Sequence, residues 1–228
     1  MTRGARTKGS ALALLGLVLA ACGGSSGSSG NANVTTGPAA VVSSDGPAAT
    51  AATPAGQFAG PLVLSPVRKA PQIILHDQNG KLFKLTSLRG KAVYLTFVYT
   101  HCPDVCPLLM QALGAAKRKL KDPGSMEIVA VSVDPKGDTP KAVKSFLAAR
   151  LLTKSNVHWL LGTRAQLKPV WTEYNILAKS VPDTPAIIEH VALIYGIDAK
   201  GNIRVGYPAS PLKSAWIAHD APLLAAAK

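Results

Sequence analysis

The chain has 228 residues, a formal net charge of +13, 47% hydrophobic residues and only 5% aromatic ones. Such a length accommodates one or two domains with a sizeable core. The basic balance invites a nucleic-acid reading, but the lysines and arginines are scattered rather than interleaved with stacking aromatics, and the N-terminus reads as an export signal; nucleic acid is therefore excluded as a partner.

Residues 1–22 read as a processing signal. Arg3, Arg6 and Lys8 precede the apolar run 11–20, which is too short for a typical spanning helix. The run ends in Leu19-Ala20-Ala21-Cys22, which resembles a bacterial lipoprotein box and implies Cys22 as the lipid-bearing residue; the plainer alternative is an ordinary signal peptide cut nearby. Setting aside the three basic residues leaves a mature charge of about +10, suited to anionic lipid headgroups or an acidic partner face. Residues 23–60, with GSSGSSG and PAATAATPAG, contain almost no large apolar side chain and read as a disordered tether. Residues 61–228 then form one compact domain, extracytoplasmic and held at the bacterial cell membrane through the lipid.

Within that domain, residues 72–76 and 81–85 flank Asp77-Gln78-Asn79-Gly80 as a β-hairpin. His76 at its turn is read as incidental. The β-branched and aromatic run 93–99 predicts a buried strand, followed by a loop holding Cys102 and Cys106, and then a helix with Leu109, Leu113, Ala116 and Leu120 on its buried stripe. Pro107 suits the first helical position, which predicts Cys106 as the N-cap with its sulfur facing free N–H groups that favour a thiolate. Cys102, four residues earlier, is near enough to share an ion with Cys106 or to bond to it; a disulfide that merely staples the loop is the plain alternative.

A second apolar strand, 127–133, ends in Asp134-Pro135-Lys136-Gly137-Asp138-Thr139-Pro140, with Thr139 and Pro140 opening a helix that carries Val143, Phe146, Leu147 and Leu151. Asp134 lies where α/β sheets place their sites, yet reads first as a turn-forming Asx. Residues 157–161 form a third strand, in which His158 is read as structural. Thr163 and Gln166 make a capping box for a helix with Leu167, Val170, Trp171 and Tyr174 inward, which Pro169 is expected to kink or end early. Glu189 and His190 precede a strand over 191–197, a turn, and a partner strand from Ile203. Residues 212–227 close the chain as a helix, with His219 incidental. Strand and helix in alternation predict an α/β fold.

The strand leading into THCPDVCP (100–107), the hairpin and Leu-Arg-Gly-Lys before it, SVDPKGDTP (132–140) and the His-then-strand segment together resemble the Sco/SenC/PrrC family, which is associated with copper delivery to cytochrome c oxidase. The resemblance implies a thioredoxin-like fold with an N-terminal β-hairpin and a β-hairpin insertion. It also implies a metal site made by Cys102, Cys106 and His190. Relatives commonly carry Asp where this chain has Glu189, so a longer carboxylate stands beside the implied ligand.

Two sulfurs and an imidazole form a soft donor set that suits Cu(I) and, with the nitrogen, Cu(II). Structural zinc calls for a fourth protein ligand, which the spacing does not offer. The resemblance implies the copper-site subunit of cytochrome c oxidase as recipient and a thiol reductant protein as second partner. With Cys22 assigned to lipid, Cys102 and Cys106 are the only thiols of the mature domain, so thiol–disulfide exchange by the same pair is the alternative activity. Exchangers of this fold usually have two residues between the cysteines rather than three and make no use of His190. Peroxide reduction shares the fold but needs an arginine-supported pocket, and no arginine lies near this loop in sequence.

Overall fold

The computed structural model describes residues 56–181, 184–189 and 191–227. Two residues singled out above, Cys22 and His190, lie outside the described residues, as do the signal segment and nearly all of the tether. In chain order the elements are β1 (Leu62–Lys69), β2 (Ile74–Asp77), β3 (Leu82–Lys84), β4 (Ala92–Val98), α1 (Val105–Lys119), β5 (Met126–Ser132), α2 (Pro140–Ala149), β6 (Val157–Leu161), α3 (Arg164–Glu173), β7 (Lys179–Val181), β8 (Thr184–Glu189), β9 (Leu193–Ile197), β10 (Asn202–Pro208) and α4 (Ser214–Ala225). No helix among the described residues is long and apolar enough to cross a membrane.

Eight strands form one sheet in the order β1-β10-β9-β4-β5-β6-β2-β3. All residues of β4 and β5 are buried, as befits strands covered on both faces. β4, β5 and β6 run parallel in sequence order, with α1 and α2 as crossovers, whereas β9 returns antiparallel to β4. The order β10-β9-β4-β5, with α1 inside the parallel pair and α4 after the antiparallel one, is the thioredoxin-like arrangement. The hairpin β2–β3 pairs onto β6 with the predicted turn between its strands. The pair β7–β8 forms its own two-stranded sheet, an insertion between α3 and β9. α1 and α4 pack together, and Tyr94 on β4 donates from its hydroxyl to the Ile217 carbonyl on α4 at 2.8 Å.

The caps follow the local sequence. Thr139 caps α2 by accepting from the Ala142 N–H, and Thr163 with Gln166 forms the expected capping box on α3. α3 runs past Pro169 to Glu173 rather than ending at it. Burial of Leu167, Val170 and Trp171, and the 2.9 Å bond from Trp171 Nε1 to the Ser132 carbonyl, outweigh the single N–H that proline removes. At the other end of the chain, buried Asp220 on α4 accepts from the N–H groups of Ala59 (2.7 Å) and Gly60 (2.9 Å) and from the Tyr207 hydroxyl (2.7 Å). Its neighbour His219 lies 2.8 Å from the same carboxylate, which fixes that imidazole as part of this structural anchor.

Candidate metal centre

The candidate site starts where β4 ends. Tyr99 is buried, Thr100 half-buried and His101 exposed; the chain then turns back inward, with the Cys102 N–H 3.4 Å from the Tyr99 carbonyl. Both cysteines are buried and neither is in a disulfide.

The helix begins two residues earlier than the sequence reading placed it. Val105 is its first residue and Asp104 its N-cap, the Asp104 carboxylate accepting from the Val105 N–H at 2.5 Å. Cys106 is therefore not the cap: Asp at position 104 is a better capping residue than a thiol, so the helix starts there. The consequence is an exchange of roles. The Cys106 N–H, one of the free donors of the first turn, points at Cys102 Sγ at 3.3 Å. The Cys106 thiol also donates to Cys102 Sγ; together with N–H groups of the helix start this pulls the Cys102 pKa down to about 6, against opposition from burial and from Asp104, whose Oδ1 lies 3.8 Å away. Cys106, using its own proton to bond Cys102 and buried more deeply, is pushed well above the ordinary thiol range. The pair is asymmetric: the Cys102 pKa is pulled down and that of Cys106 pushed up.

Both segments singled out as motifs meet here. Asp134, in the loop after β5, accepts from the N–H groups of Lys136 (3.2 Å) and Gly137 (3.0 Å), which is the Asx turn expected of it. Gly137 is the point of close approach between the two loops, since a Cβ there would collide with the Asp134 carboxylate and press on His101 Nδ1. Asp138, unnoticed in the sequence except as part of a turn, is buried and accepts from the Thr100 N–H (2.7 Å), the Thr100 hydroxyl (2.8 Å) and the Ser132 hydroxyl (2.6 Å). It joins the ends of β4 and β5 two residues from Cys102. Burial raises its pKa.

Of the remaining candidates, His158 is structural. Its Nε2 lies 3.5 Å from Glu127 on the neighbouring strand, an acid that is distant in sequence, and its ring stands 5.0 Å from that of Phe83. His76 is exposed on β2. Glu189 is the last residue of β8, opposite Lys179 in the strand register. Among the described residues, no three His, Cys, Asp or Glu side chains gather as a metal site. The described part thus supplies two sulfur donors. β9, which resumes three residues after position 190, lies antiparallel to β4, with the Leu193 carbonyl 3.0 Å from Thr96 Oγ1. The chain therefore enters β9 at the same end of the sheet from which the cysteine loop leaves β4.

The comparisons with known proteins agree with this architecture. A SCO2-like protein of Rickettsia typhi is 31% identical over 137 residues, a match spanning 56% of this chain and 64% of that relative, so less than two thirds of the relative's length is covered. The structure of Bradyrhizobium japonicum ScoI with copper bound is 32% identical, with a TM-score of 0.57 over 68% of this chain and 99% of that one. BsSco, described as a member of the Sco family of cytochrome c oxidase assembly proteins, shares the fold with a TM-score of 0.61 over 73% of this chain and 99% of that one, at 23% identity. The SCO1/SenC family model matches residues 67–220, both cysteines, Asp134, Asp138 and position 190 included, and the chain belongs to that family.

Proposed function

We propose that this protein binds copper through Cys102, Cys106 and His190 and delivers it to the binuclear copper site of cytochrome c oxidase during assembly. The observation that carries the reading is the asymmetric, disulfide-free thiol pair at the start of α1, in a chain 32% identical to a ScoI whose structure holds copper. The donors fit the ion. Thiolate sulfur is soft and selects Cu(I), and an added imidazole accommodates Cu(II). One thiol is already ionised near neutrality, so a single proton, that of Cys106, has to leave when the metal enters. The third donor is read as His190 from the resemblance to the family, and its distance in sequence is compatible with this: three residues of extended chain span up to about 10 Å from Leu193, which stands beside β4 near its C-terminal end. Copper is cargo here: two buried sulfurs, one on the loop after β4 and one in the first turn of α1, and a ligand from a separate segment make a site that can open to a recipient.

The protein is further proposed to be a lipoprotein, anchored through Cys22 at the extracytoplasmic face of the bacterial membrane, with residues 23–60 as the tether and a thiol reductant protein keeping the pair reduced. Cys22→Ser should release the chain from membranes; retention would contradict the anchor. For copper, metal analysis and thiol titration of the reduced chain should give about one copper per two thiols in the wild type, from the donor count, with loss of Cu(II) binding in His190→Ala. Unchanged binding in that variant would remove His190 from the site.

A second reading, thiol–disulfide exchange, is favoured by the same asymmetry. The Cys102 thiolate would attack a partner disulfide and release one partner thiolate. Cys106 would then resolve the mixed disulfide, so that two electrons pass to the partner and the pair ends as a disulfide. Insulin-type disulfide reduction that survives His190→Ala while oxidase assembly fails would separate the two activities.

A further inference from the structure

Asp138 touches neither sulfur, yet its three hydrogen bonds converge where the cysteine loop begins. One oxygen accepts both donors of Thr100, the residue through which the chain leaves β4 for Cys102, and the other accepts from Ser132 at the end of β5. Ser132 is itself braced: its hydroxyl accepts from the Asp134 N–H at 3.1 Å and its carbonyl from Trp171 Nε1. A buried carboxylate is costly to keep, and among the described residues no cation is among the groups acting on this one. Two oxygens serving three donors in a fixed direction are what the loop obtains from it.

We propose that Asp138 is the positioning residue of the thiol pair, acting through Thr100 to hold Cys102 Sγ in line with the N–H of Cys106. The mechanical path is short. Thr100 is pinned from the β5 side, the Cys102 N–H closes a turn on the Tyr99 carbonyl, and the sulfur then meets the first turn of α1. Without Asp138, Thr100 keeps no bond to the β5 loop, and the sulfur loses its fixed approach to the helix. Only the copper arm of the test below rests on the copper reading.

The test is amide exchange at Cys106 in the reduced, metal-free full chain, followed by NMR and compared with core amides of β5. In Asp138→Ala the Cys106 amide should exchange roughly tenfold faster or more, while the β5 amides change less, because three donors, one buried and two half-buried, lose their acceptor. Asp138→Asn, whose carbonyl oxygen can still receive Thr100, should restore most of the protection. Gln78→Ala removes two buried bonds at the far side of the sheet, to the Val157 carbonyl and the Trp159 N–H, and should leave Cys106 no less protected than those core amides. If Asp138→Ala fails to fold, Thr100→Val decides, with an intermediate rise expected. Cys106 exchange that only follows the core in Asp138→Ala, or that does not rise in Thr100→Val, overturns the proposal. After Cu(II) loading, the thiolate-to-copper absorption should shift in Asp138→Ala and return in Asp138→Asn. A wild type that takes up no copper would sink the copper reading, while the exchange measurement would still decide the role of Asp138.

Discussion

The two ends of the parallel strands handle buried charge in opposite ways. At the N-terminal ends of β4 and β5, Glu127 is buried but paired, with Lys91 Nζ at 2.5 Å and His158 at 3.5 Å. Burial pushes its carboxyl up, yet the bonds from His158 and Lys91 outweigh this and hold its pKa below the ordinary value. Nearby, buried Lys117 donates to the carbonyls of Pro123 and Met126, and burial lowers its pKa. At the C-terminal ends, by contrast, the Cys102 pKa is pulled down by N–H and S–H donors, with no cation among the described residues acting on it. α1 connects the two regions: Cys106 lies in its first turn and Lys117 in its last, about 16 Å apart along the axis. A carboxylate bonded to Lys91 makes one end a fixture, and a thiol pair with one lowered pKa leaves the other end ready for a metal or an electrophile.

The largest effects should separate the ends. Cys102→Ala and Cys106→Ala should each bring copper content to background; copper retained in either variant would break the contrast. Glu127→Ala should do the reverse. It should keep copper stoichiometry and lose about 1–3 kcal/mol of stability, because Lys91 and His158 lose their shared acceptor. Chemical denaturation measures the loss, and a copper defect in that variant would show that the two ends are coupled.

The pH dependence should differ in the same sense. A depressed acid stabilises the fold above its ordinary pKa and loses that contribution as pH falls through its folded one. For Cys102 the gain should therefore build from about pH 6 and be complete near the ordinary thiol value of 9.0. Cys106, held protonated, opposes stability only above that ordinary value. The reduced, metal-free chain should thus become more stable from pH 6 to pH 9, a rise that thermal unfolding should no longer show in Cys102→Ala. Glu127 contributes in the same sense at lower pH, its share fading only as pH falls below the ordinary carboxylate value of 4.5. Smallest of all, His158→Gln should cost about 0.5 kcal/mol, since the imidazole is partly exposed and its partner keeps Lys91; a loss comparable to Glu127→Ala would make the histidine the main partner.

Much of this was legible in the residues. The apolar runs became β4 and β5, Thr139 and Thr163 capped the helices they were expected to cap, and the motifs around Cys102, Cys106 and Asp134 carried the family resemblance. What escaped has physical reasons. Competition for a cap is decided by geometry, so Asp104 displaced Cys106 and reversed the expected thiolate. β1 contains Pro66 and is exposed on both faces, so it shows no alternation; it is the edge strand that such a residue permits. The resemblance implied a hairpin insertion, but the residues of β8 did not show a strand, because Pro185 lies within it. Asp138 looked like turn chemistry because its partner Thr100 lies 38 residues away, and only the parallel pairing of β4 with β5 brings them together.

The most direct test of the asymmetric-thiol account is site-resolved alkylation of the reduced, metal-free chain across pH 5–9, read by mass spectrometry. Cys102 should be modified with a midpoint near pH 6 while Cys106 is spared throughout. Equal modification of both, with midpoints near the ordinary thiol value, would contradict it.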